Sequence, residues 1–118
     1  MSVLVNLALA TICFTSNGVE KCANVLIGKT TPRGEFVLQQ RLTDDPGYGG
    51  DVLQFDEDEK SVLAVHRVWL LNPKQNRLQR LSSPDPKDRV ITNGCINVDP
   101  IIYQEIVDCC SNLSLTVK

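Results

Sequence analysis

Histidine occurs once in these 118 residues, tryptophan once, and aromatic residues make up only 5% of the chain. A single imidazole, His66, and no cysteine pair in C-x-x-C spacing leave little from which to build a metal centre, so no metal or other cofactor is expected. No apolar run approaches the roughly 18 residues of a membrane span. Lysine and arginine total 12 against 14 aspartate and glutamate, without a basic block, so the electrostatic footprint of a nucleic-acid binder is missing. No internal repeat occurs. Residues 1–10 carry no Lys or Arg before their apolar run, the first being Lys21, so they lack the positive n-region of a secretory signal and read as a strand. The length suits one domain, 1–118, whose core needs neither metals nor many disulfides.

Residues 3–15 are rich in strand formers and reach Asn17-Gly18, whose tolerance of positive backbone angles suits a two-residue hairpin turn. The return strand is expected over 19–27. With Asn17 and Gly18 as the loop, opposing positions sum to 35, and Cys13 faces Cys22 on a closely spaced, non-hydrogen-bonded pair. A cross-strand disulfide fits there; two small buried hydrophobes, kept reduced, fit it as well. Cys109 and Cys110 are neighbours near a helix end, where a bridge between them would be strained. Five cysteines leave at least one unpaired within a single chain, and Cys95 is the candidate free thiol.

A turn-rich link over 29–36 leads to a third strand at 36–41. Asp44-Asp45-Pro46-Gly47-Tyr48-Gly49-Gly50 is a flexible loop, long enough to border a cleft. Strands are expected at 52–55 and 61–69, joined by the acidic stretch 56–60, a solvated turn. Asn72-Pro73 pairs a capping side chain with proline in the first helical position. It predicts a helix over 74–81 with Leu78 and Leu81 facing inward. A loop at 82–88, a strand at 89–92, a second capped helix at 101–110 behind Asp99-Pro100 and a closing strand at 113–117 complete the chain. Five to seven strands with two short helices predict a mainly β domain, a bent sheet or sandwich.

Two stretches carry chemistry. Thr92-Asn93-Gly94-Cys95-Ile96-Asn97 places a thiol beside a glycine, and His66 lies upstream at the end of the apolar run Val62-Leu63-Ala64-Val65. A thiol with one available imidazole is the minimum equipment for cysteine nucleophilic catalysis. The imidazole can take the thiol proton and later return it to a leaving amine. Gly94 lets the backbone approach a substrate carbonyl, so the amides of Gly94 and Cys95, with Asn93 beside them, are candidates to face a developing oxyanion. Asn97 and Thr92 are expected to hold the loop. Arg67 is placed either to steer a substrate carboxylate or to form a surface salt bridge. Tyr48 and Trp69 are candidates to line the cleft.

These residues resemble the signature of the L,D-transpeptidase catalytic domain, or YkuD domain, in which a strand histidine is followed by Ser or Thr, a variable residue, Gly, the nucleophilic Cys, an apolar residue and Asn or Arg. Gly28-Lys29-Thr30-Thr31-Pro32-Arg33-Gly34-Glu35-Phe36 is similar to an upstream glycine and Thr-Pro-x-Gly-x-Phe of the same family. The chain departs from it in having Asn93 where many members have histidine, Arg67 where several have Gly or Ser, and 28 residues between His66 and Cys95. That insert is expected to form a lid or wall.

The resemblance implies a Cys95 nucleophile and a His66 base acting on the tetrapeptide stems of peptidoglycan, in the periplasm or cell wall. The thiolate attacks the carbonyl of the third stem residue, releases D-alanine and leaves a thioester for a second stem, water or a D-amino acid. Because no export signal is visible, a variant reading is an antibacterial effector with the same chemistry, whose partner would be an immunity protein. A non-catalytic peptidoglycan-binding module is the reading without chemistry.

Overall fold

The computed structural model describes residues 2–118. Its strands, in chain order, are β1 (Ser2–Asn6), β2 (Thr11–Ser16), β3 (Val19–Asn24), β4 (Ile27–Gly28), β5 (Gly34–Val37), β6 (Gln39–Leu42), β7 (Asp51–Glu57) and β8 (Val62–Arg67). A 3-10 turn (Pro73–Gln75), helix α1 (Arg77–Leu81) and a second 3-10 turn (Pro86–Arg89) follow. The chain ends with β9 (Val90–Thr92), β10 (Ile96–Val98), helix α2 (Pro100–Cys110) and β11 (Ser114–Val117). The fold is mainly β with two short helices, as the sequence predicts.

Among the described residues eleven strands stand where five to seven are expected, because short interruptions divide the stretches 3–15, 19–27 and 36–41 and Ile96–Val98 adds a strand that the sequence does not predict. The stretch 3–15 is broken by a turn in which Asn6 Oδ1 accepts the Leu9 amide at 3.0 Å and Ala10 adopts φ 49°. The buried guanidinium of Arg89 holds that turn, donating to the carbonyls of Leu9 (2.7 Å), Ala10 (3.3 Å) and Ser83. Between β5 and β6, the buried Leu38 pairs its amide with Leu113 and its carbonyl with Asn112, so the expected strand 36–41 crosses from one sheet to another. The return strand 19–27 likewise ends at Asn24, and Leu26 bridges to Asn97 instead.

Two sheets, ordered β3-β2-β1-β11-β5 and β10-β8-β7-β6, turn apolar faces into one core, and a short β4-β9 ladder lies beside them. Alternation is clean in β1, β2 and β11, which bury Val3 and Val5, Ile12 and Phe14, Leu115 and Val117. The second sheet adds Leu53, Phe55, Val65, Ile96 and Val98, and the Phe36 and Phe55 rings meet edge to face at 5.2 Å. Helix α2 begins as predicted: Asp99 accepts the amides of Ile101 and Ile102, with Pro100 in the first turn. Its Tyr103, Ile106 and Cys110 recur at helical spacing and enter the same core. Truncating one such side chain to alanine costs about 2–5 kcal/mol, since the cavity refills only in part.

Two expectations are corrected. The helix expected over 74–81 is a 3-10 turn followed by the five-residue α1, with Asn76 in the left-handed region at φ 52° between them. That reversal changes which face turns inward: Leu78 is 54% exposed, and Arg77 and Arg80 are half-buried instead. The cysteines also pair more than a reduced core would allow. Cys13 faces Cys22 in the expected register, and the two are joined, with Cys22 at the exposed edge strand. Cys109 and Cys110 are joined as well, despite their adjacency. Cys95 is the free cysteine.

Candidate active site

β8 and β10 run parallel, with Ile96 opposite Val65 and Asn97 opposite His66. Side chains alternate between faces of a strand, so Asn97 and His66 share one face, and Cys95, two residues before Asn97, shares it too. Both Cys95 and His66 consequently line a cleft of about 350 Å³. An apolar strand ending in histidine and a Gly-Cys loop feeding the neighbouring strand are the local sequence features that produce this juxtaposition.

The Cys95 loop is held from two sides. Thr92 Oγ1 accepts the Gly94 amide at 3.1 Å and donates to the Cys95 carbonyl at 2.6 Å. From the other side, Thr30 Oγ1 donates to the Asn93 carbonyl (3.1 Å) and Thr31 Oγ1 to the Gly94 carbonyl (3.0 Å), while Thr31 Oγ1 also accepts the Gly28 amide (2.9 Å). Gly28 is needed because a Cβ there would lie 2.2 Å from the Thr92 carbonyl oxygen. Gly94 is needed for its φ of +127°. Of the amides weighed for an oxyanion, that of Gly94 is already bound to Thr92.

His66 is buried, at 3% exposure. Its Nδ1 lies 2.6 Å from the Arg67 carbonyl oxygen, which only accepts, so Nδ1 carries the proton and Nε2 the lone pair. Asn97 Nδ2 points to that Nε2 at 3.4 Å, and the Tyr48 ring stands edge-on to the imidazole, centroids 4.6 Å apart. Burial lowers the His66 pKa to about 4; the Arg67 carbonyl opposes the shift and the Arg77 charge adds to it. Burial raises the Cys95 thiol, while the Ala64 backbone and Arg77 pull it down. The thiol faces the Val62 carbonyl at 3.8 Å. At neutral pH the cleft holds a neutral thiol and a neutral imidazole rather than a standing ion pair.

Asn97 is fully buried and joins the wall of the cleft to its base. Its Oδ1 accepts the Trp69 amide (3.1 Å) and Arg77 Nη1 (2.9 Å). Tyr48 and Trp69 both line the cleft. Arg67 does not. Its strand position sends it to the opposite face from His66, where it forms an ion pair with Asp51 (2.9 Å), donates to the Tyr48 carbonyl (3.0 Å) and covers the Tyr103 ring at 4.4 Å. Of the two readings weighed for Arg67, the salt bridge is present, to Asp51.

The cation that does line the cleft is Arg77, with Gln75 beside it; sequence reasoning passed over both, as it did the bracing roles of Thr30 and Thr31. Asn76 is the one available signal for Arg77, since asparagine tolerates the left-handed turn that swings the next residue inward. A second cavity of about 610 Å³ meets the first at Tyr48, Ser61, Val62 and Cys95. Its far wall includes Asp45, Glu57, Asp58 and Glu59, together with Arg41 and Lys60. The acidic turn 56–60 thus borders a cavity as well as facing solvent.

No protein-family model matches the sequence, and no curated protein matches it. Solved structures do. An L,D-transpeptidase from Mycobacterium smegmatis is 17% identical with a TM-score of 0.63, over 99% of this chain and 58% of that one. L,D-transpeptidase 3 from Mycobacterium tuberculosis, in complex with a faropenem-derived adduct, is 14% identical with a TM-score of 0.69, over 99% of this chain and 59% of that one. The catalytic domain of the E. faecium L,D-transpeptidase is 16% identical with a TM-score of 0.67, over 99% and 95%. The chain therefore spans under three fifths of the length of the first two, and it has the mainly β fold of the L,D-transpeptidase catalytic domain.

Proposed function

We propose that this chain is a cysteine acyl-transferase acting on the peptide stems of peptidoglycan. The observation that carries the reading is that Cys95, the free thiol, opens into the same cleft as His66, whose Nε2 lone pair is fixed by the Nδ1 hydrogen bond to Arg67. A module that only bound peptidoglycan would need neither group. The fold it shares with L,D-transpeptidases supports peptidoglycan stems as the substrate class.

In this mechanism the Cys95 sulfur attacks the carbonyl that precedes the terminal D-residue as its proton passes to His66 Nε2, which gives up its long 3.4 Å contact with Asn97 Nδ2 to accept it. The oxyanion faces the Cys95 amide, with that of Asn93 beside it, because the Gly94 amide stays on Thr92. Collapse breaks the C–N bond, and His66 returns the proton to the departing amine of D-alanine. The thioester on Cys95 is then taken by an amine, giving a cross-link or exchange, or by water, giving carboxypeptidase trimming. Asn97 positions His66 and the Trp69 backbone, and Thr92 holds the loop.

The test incubates the protein with disaccharide-tetrapeptide muropeptides, with and without a free D-amino acid, beside Cys95→Ala, and follows products by mass and chromatography. Release of D-alanine, exchange or dimer formation that vanishes in the variant is the expected result. Unchanged muropeptides in every arm would remove the catalytic reading. A faropenem-derived adduct on Cys95, by analogy with the mycobacterial structure, is expected in intact-mass spectra of wild type and absent from Cys95→Ala.

A further inference from the structure

Arg77 stands out among the cations of this chain because its charge faces the cleft without a counter-ion. The two salt bridges among the described residues are Lys21 with Glu105 and Arg67 with Asp51; Arg77 has none. Its Nε donates to Gln75 Oε1 (2.8 Å), its Nη1 to Asn97 Oδ1 (2.9 Å), and its guanidinium lies over the Trp69 ring, 5.2 Å from the centroid. Those contacts fix the plane of the group and leave Nη2 without a partner among the described residues. Since no buried side-chain nitrogen among the described residues is left without a partner, Nη2 is open to solvent, and Arg77 lines the cleft. A held, half-buried guanidinium with a free edge is built to receive an anion, and its planar fork matches a carboxylate.

Resting on the acyl-transfer reading, we propose that Arg77 is the specificity residue of the cleft, binding the free carboxylate that ends the donor peptide, one residue beyond the bond Cys95 attacks. In a donor ending in D-alanine that carboxylate lies about 4 Å past the scissile carbonyl, the span of one residue. Arg77 lines the same cleft as Cys95 and His66, so a donor seated on the thiol presents its terminal carboxylate to the space that the guanidinium faces. Arg77 acts on both groups electrostatically, pulling the thiol and the imidazole towards their deprotonated forms. The neighbouring cavity is net acidic on its far wall, where Asp45, Glu57, Asp58 and Glu59 outnumber Arg41 and Lys60. An anionic peptide end is therefore drawn to the Arg77 arm and repelled from the other.

The first test needs no peptide. Cys95 is alkylated with iodoacetate and, separately, with iodoacetamide; in each case the thiolate displaces iodide. Wild type, Arg77→Gln and Arg77→Lys are compared with the denaturant-unfolded chain. In wild type the iodoacetate-to-iodoacetamide rate ratio should exceed that of the unfolded chain by about tenfold, fall towards it in Arg77→Gln and persist largely in Arg77→Lys. A wild-type ratio at or below the unfolded value overturns the proposal whether or not the variants fold.

The second test separates the possible carboxylates. A donor peptide with a free terminus is compared with its terminal amide and with the same peptide amidated only on its internal carboxylates. Terminal amidation should lower kcat/KM about 10- to 100-fold in wild type and little in Arg77→Gln. An equal loss in both proteins, or a loss confined to internal amidation, overturns the assignment. If no donor turns over, the acyl-transfer reading fails, and the alkylation ratio alone decides whether Arg77 forms an anion site.

Discussion

Thr31 and Gly94 are joined by a 3.0 Å hydrogen bond from the threonine hydroxyl to the glycine carbonyl, although 63 residues separate them. The same hydroxyl accepts the Gly28 amide, so one side chain ties the β4 end to the loop that carries Cys95. Thr31 is 6% exposed, and both backbone groups lose their partner if it becomes apolar. Thr31→Val should therefore destabilise the fold by about 1–3 kcal/mol in urea unfolding, while Thr31→Ser restores most of it. Under the proposed mechanism kcat should fall more than KM rises, because the loop is misplaced rather than the binding walls.

Gly28→Ala tests the closeness of the same junction. The added methyl would meet the Thr92 carbonyl at 2.2 Å, and that oxygen is backbone and cannot swing aside. A drop in stability of about 3 kcal/mol, read from thermal melting, is expected from forcing β4 and β9 apart. An unchanged melting temperature would contradict the packing described.

His66 gives the protein a pH dependence of fixed sign. Its pKa is about 4 when folded and near the ordinary histidine value of about 6.5 when unfolded, so between these values the unfolded chain binds the extra proton. Stability is fully present above pH 6.5 and is lost as the pH falls towards 4, by about 3 kcal/mol for this group. Urea midpoints measured from pH 7 to pH 4 should show that slope, and His66→Gln should flatten it. Under the proposed mechanism the acid limb of D-alanine release should likewise lie near pH 4 rather than near 6.5.

Much of this was readable in the chain because local chemistry fixes it. Asn17-Gly18 set the hairpin and with it the pairing of Cys13 with Cys22, and Asp99-Pro100 set the start of α2. The Gly-Cys loop and the upstream histidine identified the two groups that the structure brings into one cleft. What escaped was decided by distant partners. The break at Leu7–Ala10 is secured by Arg89 from the far end of the chain, and Leu38 is a crossing point because its backbone bonds to residues 112 and 113. The placing of Arg67 and Arg77 escaped for the same kind of reason: strand alternation sent one away from the cleft, and a left-handed asparagine sent the other, which sequence reasoning passed over, into it.

Asn97→Ala removes the acceptor of both the Trp69 amide and Arg77 Nη1 in a fully buried setting. A loss of about 2–3 kcal/mol is expected, the upper range for a buried group stripped of a charged partner. Trp69 is the chain's one tryptophan, so the release of Arg77 from its ring should be visible directly as a change in tryptophan emission. Emission identical to wild type would mean that Arg77 is held by other contacts.

The parallel pairing of β1 with β11 sets Val3 against Leu115 in the middle of the larger sheet. That sheet is cut in two until β11 arrives, and closure of the long loop between residues 3 and 115 must precede the contacts that reward it. Folding thus waits on β11, and a nascent chain lacking that strand exposes the flank of β1 as an unpaired edge, open to association with other chains.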